Sequence, residues 1–221
     1  MIARDLINPI VPSLQASDDI ARASSLMDDL HLSVLPVLDG DRFVGFIRED
    51  ILYDDIFDKP TIGEYPLEMS DCAVNQEQHF YEVLRVAEEC QHAMVAVTEE
   101  DDHFLGVITA KDLVQAFSKT TAVQSPGSIL ELSVKKINYS LAEITRLVEG
   151  ENAKVMGCFL KNDDMDSERV FVTIKLDKKD VSHVAATLRR FDYQVVRLIQ
   201  EENLISYEKE RLDALMKYLS I

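Results

Sequence analysis

The sequence predicts an α+β chain in two parts: a tandem repeat over the first 119 residues, then one β-α-β-β-α-β unit. Two observations carry this. One apolar pattern recurs about 60 positions later, and the periodicity changes after residue 127. Charge breaks at the same place. Residues 1–125 hold 8 Lys and Arg against 24 Asp and Glu, whereas the rest of the −17 chain is nearly neutral. A composition shift of that size marks a domain boundary.

The first copy of the repeat spans a helix, Asp18–Leu30, then the strands Ser33–Val37 and Phe43–Ile47. The second spans Gln78–Cys90, Ala93–Val97 and Phe104–Ile108. Ile20, Ala23, Met27 and Leu30 recur as Phe80, Val83, Ala87 and Cys90, which puts one apolar stripe on each helix. Gly45 recurs as Gly106, so the loop between the strands gains one residue. Such a unit cannot bury its face alone and is expected to pack on its twin, leaving a cleft between them. The copies are placed at 1–59 and 60–119, joined by Lys59–Pro66, which is rich in Pro and Gly.

A second linker, Thr120–Gly127, precedes the β-α-β-β-α-β unit at 128–203. Ile129–Val134 alternates like a strand. Leu141, Ile144 and Val148 mark a helix opened by Ser140. Val155–Leu160 and Val170–Leu176 are strands joined by a polar loop. A helix carrying Val181, Val184, Ala185, Leu188 and Phe191 follows, then the strand Val195–Ile199. This order is the ferredoxin-like split βαβ arrangement. At 204–221, Leu212, Leu215, Met216 and Leu219 form a stripe for a terminal helix that packs on its own sheet or on a second chain.

Composition excludes several classes. No apolar run is long enough to span a bilayer, and Arg4 and Asp5 interrupt the start where a secretory signal would be apolar. The expectation is a cytoplasmic protein with no membrane contact. The acidic first half lacks the basic footprint of a nucleic-acid partner. Cys72, Cys90 and Cys158 are odd in number and scattered, which points to small core residues rather than a disulfide framework. Among His31, His79, His92, His103 and His183 no pair has zinc-enzyme spacing, and no nucleophile motif is present. The chain is therefore read as neither an enzyme nor a metalloprotein. His31 and His92 follow the two repeat helices, where an imidazole suits a helix C-terminus.

The chemistry concentrates in Gly106-Val107-Ile108-Thr109-Ala110-Lys111-Asp112. With this motif, the repeat resembles a pair of CBS domains, a Bateman module, over roughly the first 120 residues. The resemblance implies an adenine nucleotide (AMP, ADP or ATP) or S-adenosylmethionine as effector, with no required cofactor. Thr109 and Asp112 would then hold ribose and phosphate, with Lys111 assisting. Cys72, Ala73 and Val74, with Met94 and Ala96, would wall the adenosine. An Asp at a helix start can accept ribose hydroxyls, and first-turn amides suit phosphate. A plain N-cap role for Thr109 also fits its place. The first copy departs from the pattern, with Arg48 at the hydroxyl position, Ile51 at the carboxylate position and Asp50 one place early. Arg48 could reach a neighbouring phosphate or pair with a nearby acid.

The second part resembles an ACT domain, which binds small effectors or pairs with a second copy. Its first turn, Asn138-Tyr139-Ser140-Leu141, lacks the glycine usual there, so dimerisation is the stronger expectation. The whole order resembles the acetoin-utilisation protein B group. Taken together, these readings predict a homodimeric sensor. A ligand-free scaffold and an amino-acid sensor are the alternatives.

Overall fold

The computed structural model describes residues 1–52, 59–90 and 94–200, and the chain divides into units at Met1–Ser118 and Lys119–Ile221. In the first unit, strand β1 (Leu14–Gln15) leads to helix α1 (Ile20–Leu30). Strands β2 (Val34–Asp39) and β3 (Arg42–Arg48) and helix α2 (Glu49–Leu52) follow. The second copy repeats this as β4 (Ala73–Asn75), α3 (Phe80–Glu89), β5 (Met94–Thr98), β6 (Phe104–Thr109) and α4 (Ala110–Ser118). Each copy makes a three-stranded sheet with the same pairing, parallel then antiparallel. Even the irregularities repeat. Gly45 pairs with Val37 and Gly106 with Val97, each beside a register shift.

The predicted helix stripes face inward. Ala23 and Met27 are buried with Leu14, Leu35 and Ile47 in one core, and Phe80, Val83 and Val86 with Val95 and Ile108 in another. Asp19 caps α1 by accepting from the Arg22 N–H at 2.8 Å. A third cluster joins the copies: Val34, Leu38, Phe43 and Phe46 of the first meet Cys72, Met94, Ala96 and Val107 of the second. The twins therefore share one apolar seam, as their inability to stand alone requires.

The copies also exchange their entry segments. A 3-10 turn, Ala3–Leu6, opens the first copy but packs on the second, with Ala3 fully buried beside Phe80 and Val83. Asn8 bridges Val107, while Glu68, on the way into the second copy, bridges Phe46 of the first. These crossings explain both glycines. Gly45 has φ 144° and Gly106 φ 152°, and a Cβ would meet the Glu68 carbonyl oxygen at 2.9 Å or the Ile7 side chain at 2.5 Å.

The second unit begins with a short helix, α5 (Thr121–Gln124), then β7 (Ile129–Lys135), α6 (Leu141–Gly150), β8 (Val155–Asn162) and β9 (Arg169–Leu176). Helix α7 (Ser182–Arg190) and strand β10 (Gln194–Ile199) complete it. The antiparallel sheet has the order β10-β7-β9-β8. Inward residues of β7 and β9, such as Leu130, Leu132, Val172 and Ile174, pack against Ile144, Val148, Val184 and Leu188 of the two helices. Ser140 caps α6 by accepting from the Glu143 N–H.

Three sequence expectations change. Cys72 and Cys90 are not separate core thiols but a disulfide, with Cα atoms 6.0 Å apart. The repeat folds the end of α3 back beside the entry to β4, a proximity that an 18-residue separation does not announce. The first linker is packed, because Ile62 and Tyr65 lie three positions apart and both enter the first core. The second linker carries α5. The terminal helix expected at 204–221, His92 and Ala93 lie outside the described residues.

Candidate functional site

Thr109 ends β6 and Asp112 lies in the first turn of α4. The Thr109 Oγ accepts from the Asp112 N–H at 3.2 Å, and Asp112 Oδ2 accepts from the Thr109 N–H at 2.9 Å and its hydroxyl at 2.5 Å. This is a reciprocal capping box. Thr109 thus fills the N-cap role, and the cap occupies one side of the carboxylate.

The other side meets a residue absent from the sequence reading. Asn8 Nδ2 donates to Asp112 Oδ2 at 3.0 Å and to Oδ1 at 3.2 Å. Asn8 Oδ1 accepts from the Ile10 N–H at 2.9 Å, so both ends of the amide are assigned by their partners. Desolvation pushes the Asp112 carboxyl upward, but the hydrogen bonds from Thr109 and Asn8 outweigh it, and Lys111 adds to them. The carboxyl lies below its usual range and is ionised at neutral pH.

A cavity of about 450 Å³ opens beside this cluster. Its polar edge includes Asn8, Thr109 and Lys111, and its apolar wall includes Val11, Leu32 and Met94. That volume and mixture suit a small organic ligand. The residues come from both copies and the entry segment, so the site exists only when the twins are paired. Of the residues singled out from sequence, Thr109, Lys111 and Met94 border this cavity directly. Asp112 stands behind Thr109 and Asn8. Cys72, Val74 and Ala96 are buried, and Ala73 is half-buried. None of these four borders the cavity, although Cys72 and Ala96 share the seam cluster with Met94.

Arg48 is placed elsewhere. Its Nε donates to Asp50 Oδ1 at 2.9 Å, and its guanidinium reaches Glu68 at 3.4 Å. The paired guanidinium holds the Asp50 carboxyl below its usual range, chiefly through their hydrogen bond. The entry-segment bridges make Glu68 the counterpart of Asn8, so each copy ties an entry segment to a strand-to-helix turn by one side-chain pair. In the first copy the pair is a closed ion cluster. Asn8, Val11 and Leu32 were missed by sequence reasoning. Asn8-Pro9 signals a turn but not its partner.

Elsewhere, a cavity of about 390 Å³ in the second unit is edged by Lys135, Glu143, Arg169 and Tyr193. Tyr193 donates to Glu143 at 2.9 Å, and its phenol is pushed up to about 12 by desolvation and by that carboxylate. Arg169 is held by Ser133 and Gln194. Among the described residues no group of three or more His, Cys, Asp or Glu could hold a metal, and no helix is long and apolar enough to cross a membrane.

The CBS domain family matches twice, over residues 3–56 and 66–119. The first unit thus carries a tandem pair of CBS domains. Similar solved structures include a CBS domain pair/ACT domain protein from Thermotoga maritima, with 19% identity, 53% of this chain and 96% of that one covered, and a TM-score of 0.49. CBSX2 in complex with AMP is 18% identical, with 52% and 95% covered and a TM-score of 0.46. Hypoxic Response Protein I with two coordinated zinc ions is 25% identical, with 52% and 98% covered and a TM-score of 0.45.

Proposed function

We propose that this chain is a cytoplasmic regulatory sensor whose CBS pair binds an adenine nucleotide or S-adenosylmethionine. One observation carries the reading: an ionised Asp112, braced by Thr109, stands directly behind the Thr109 and Asn8 edge of an inter-repeat cavity with an apolar wall. In this reading the apolar wall takes the base, Asp112 takes the ribose and Lys111 neutralises phosphate. A regulatory rather than catalytic role is in keeping with the tandem CBS pair. The βαββαβ unit is read as an ACT-like pairing module. Arg169 and Glu143 of its own cavity are already engaged by Ser133, Gln194 and Tyr193, which disfavours an amino-acid site built on that pair.

A melting panel tests the nucleotide reading. Adenosine, AMP, ADP, ATP and S-adenosylmethionine are each added at millimolar concentration. A ligand at 100 times its Kd stabilises by about 2.7 kcal/mol, a shift of several degrees. No movement with any of the five would overturn the reading and leave the ligand-free scaffold.

A further inference from the structure

A carboxylate offers about four lone-pair sites. In Asp112, the N–H and O–H of Thr109 take two, both on Oδ2, and one Asn8 N–H straddles the two oxygens. Oδ1 therefore retains room for a single further donor. A ribose presents two adjacent hydroxyls, and Asp112 alone cannot accept both without breaking its helix cap.

Asn8 supplies what is missing. Its oxygen is fixed by the Ile10 N–H, and one amide hydrogen is spent on Asp112. The other amide hydrogen has no partner among the described hydrogen bonds, and Asn8 borders the cavity. We propose that Asn8 and Asp112 read the ribose diol together: Asp112 Oδ1 accepts from one hydroxyl, and the second Asn8 Nδ2–H donates to the oxygen of the other. Asn8 is then a specificity-determining residue that belongs to the opening segment of the first CBS copy yet serves the second. The first copy provides the contrast. There Glu68 stands in the place of Asn8 and has no donor to offer, and Arg48 is spent on two carboxylates.

This inference rests on the nucleotide reading and is tested so that the two can fail separately. Calorimetric titration of the full chain uses AMP, 2′-deoxy-AMP and 3′-deoxy-AMP, with wild type, Asn8→Ala and Asp112→Ala. Wild type is expected to bind each deoxy analogue about tenfold more weakly than AMP, the cost of one unpaired polar group. Asn8→Ala should weaken AMP about tenfold and erase one of the two penalties. Asp112→Ala should erase the other. Partial unfolding lowers all three affinities alike and leaves their ratios intact, so the ratios are the readout. Asn8→Ser, a shorter donor, serves if the alanine variant does not fold, and should show a reduced version of the same penalty. Wild type that binds no adenine nucleotide would overturn the function. Wild type that binds while the Asn8 variants keep both penalties would overturn the role of Asn8 alone.

Discussion

Arg48 holds in the first CBS copy the place that Thr109 holds in the second. Each pairs with the first residue of its neighbouring strand, Arg48 with Val34 and Thr109 with Met94. The first turn also has Ile51 in the place of Asp112 and Glu68 in the place of Asn8, so the exchange of a hydroxyl for a guanidinium acts on a different set of acids. Thr109 braces one carboxylate and leaves it negative and partly free. Arg48 gathers Asp50 and Glu68 into a closed cluster.

From this follows an asymmetry between the acids of the two turns. Asp112→Ala removes a charged acceptor from the ligand, an interaction of about 1.5–3 kcal/mol, and should weaken nucleotide binding at least tenfold. Asp50→Ala should leave affinity nearly unchanged, since Asp50 is exposed and its partner Arg48 retains Glu68. Calorimetric titration of both variants checks this. A larger loss in Asp50→Ala would move the site to the first copy.

The tandem repeat was legible because core helices and strands write their burial into sequence periodicity. Ala23 and Val83, or Gly45 and Gly106, recur at nearly one spacing because equivalent positions face equivalent cores. The βαββαβ order was legible for the same reason, since Ile129–Lys135 and Arg169–Leu176 alternate in both sequence and burial. Contacts between distant segments leave no such trace. Asn8 and Asp112 are 104 positions apart, and neither residue's neighbours hint at the other. The Cys72–Cys90 bond belongs to this second kind, as does the burial of Ile62 in what composition marks as a linker.

The disulfide should be visible as a thiol count. Denatured without reductant, the protein should present one free thiol, Cys158, and three after reduction. Closing a loop of this length restricts the unfolded chain by about 3 kcal/mol, so reductant should lower the melting temperature of the CBS pair by several degrees. Cys72→Ser should remove that sensitivity. Alkylation during lysis also bears on localisation, because cytosolic thiols are generally kept reduced. Three alkylated cysteines in cells, with one in air-oxidised protein, would fit a cytoplasmic origin.

Tyr193 and Glu143 tie the start of β10 to α6, and their bond predicts an alkaline limit. The folded phenol titrates at about 12 against about 10 when unfolded. Above pH 10 the unfolded state binds fewer protons, so this contribution is complete below pH 10 and lost as pH rises to about 12. Tyr193→Phe should abolish that loss while lowering stability near neutrality by about 1 kcal/mol. Denaturant unfolding of the second unit at pH 8 and pH 11 measures both effects. An unchanged alkaline drop in the Phe variant would assign it to another group.

The last prediction is a homodimer, and the structure suggests where its two copies meet. On α3 and α4, Tyr81 is 69% exposed, Val114 71% and Phe117 51%, with Leu84 beside them in the helix pattern. On α1 the positions matching Tyr81 and Leu84 hold Ala21 and Ser24, so this apolar surface belongs to the second copy. Large exposed side chains grouped on adjacent elements are unusual for a monomer, and a closed two-fold pairing is the commonest way to cover them. The contact must form against a strongly acidic half whose copies repel one another. Salt screens that repulsion, so raising ionic strength should tighten a dimer made through α3 and α4. A dimer made through the nearly neutral second unit should respond little. Light scattering at micromolar concentration, at low and high salt, separates the cases, and Val114→Asp should dissociate only the first kind. A species of 25.1 kDa under every condition would exclude the dimer and any sensor output that works by rearranging it.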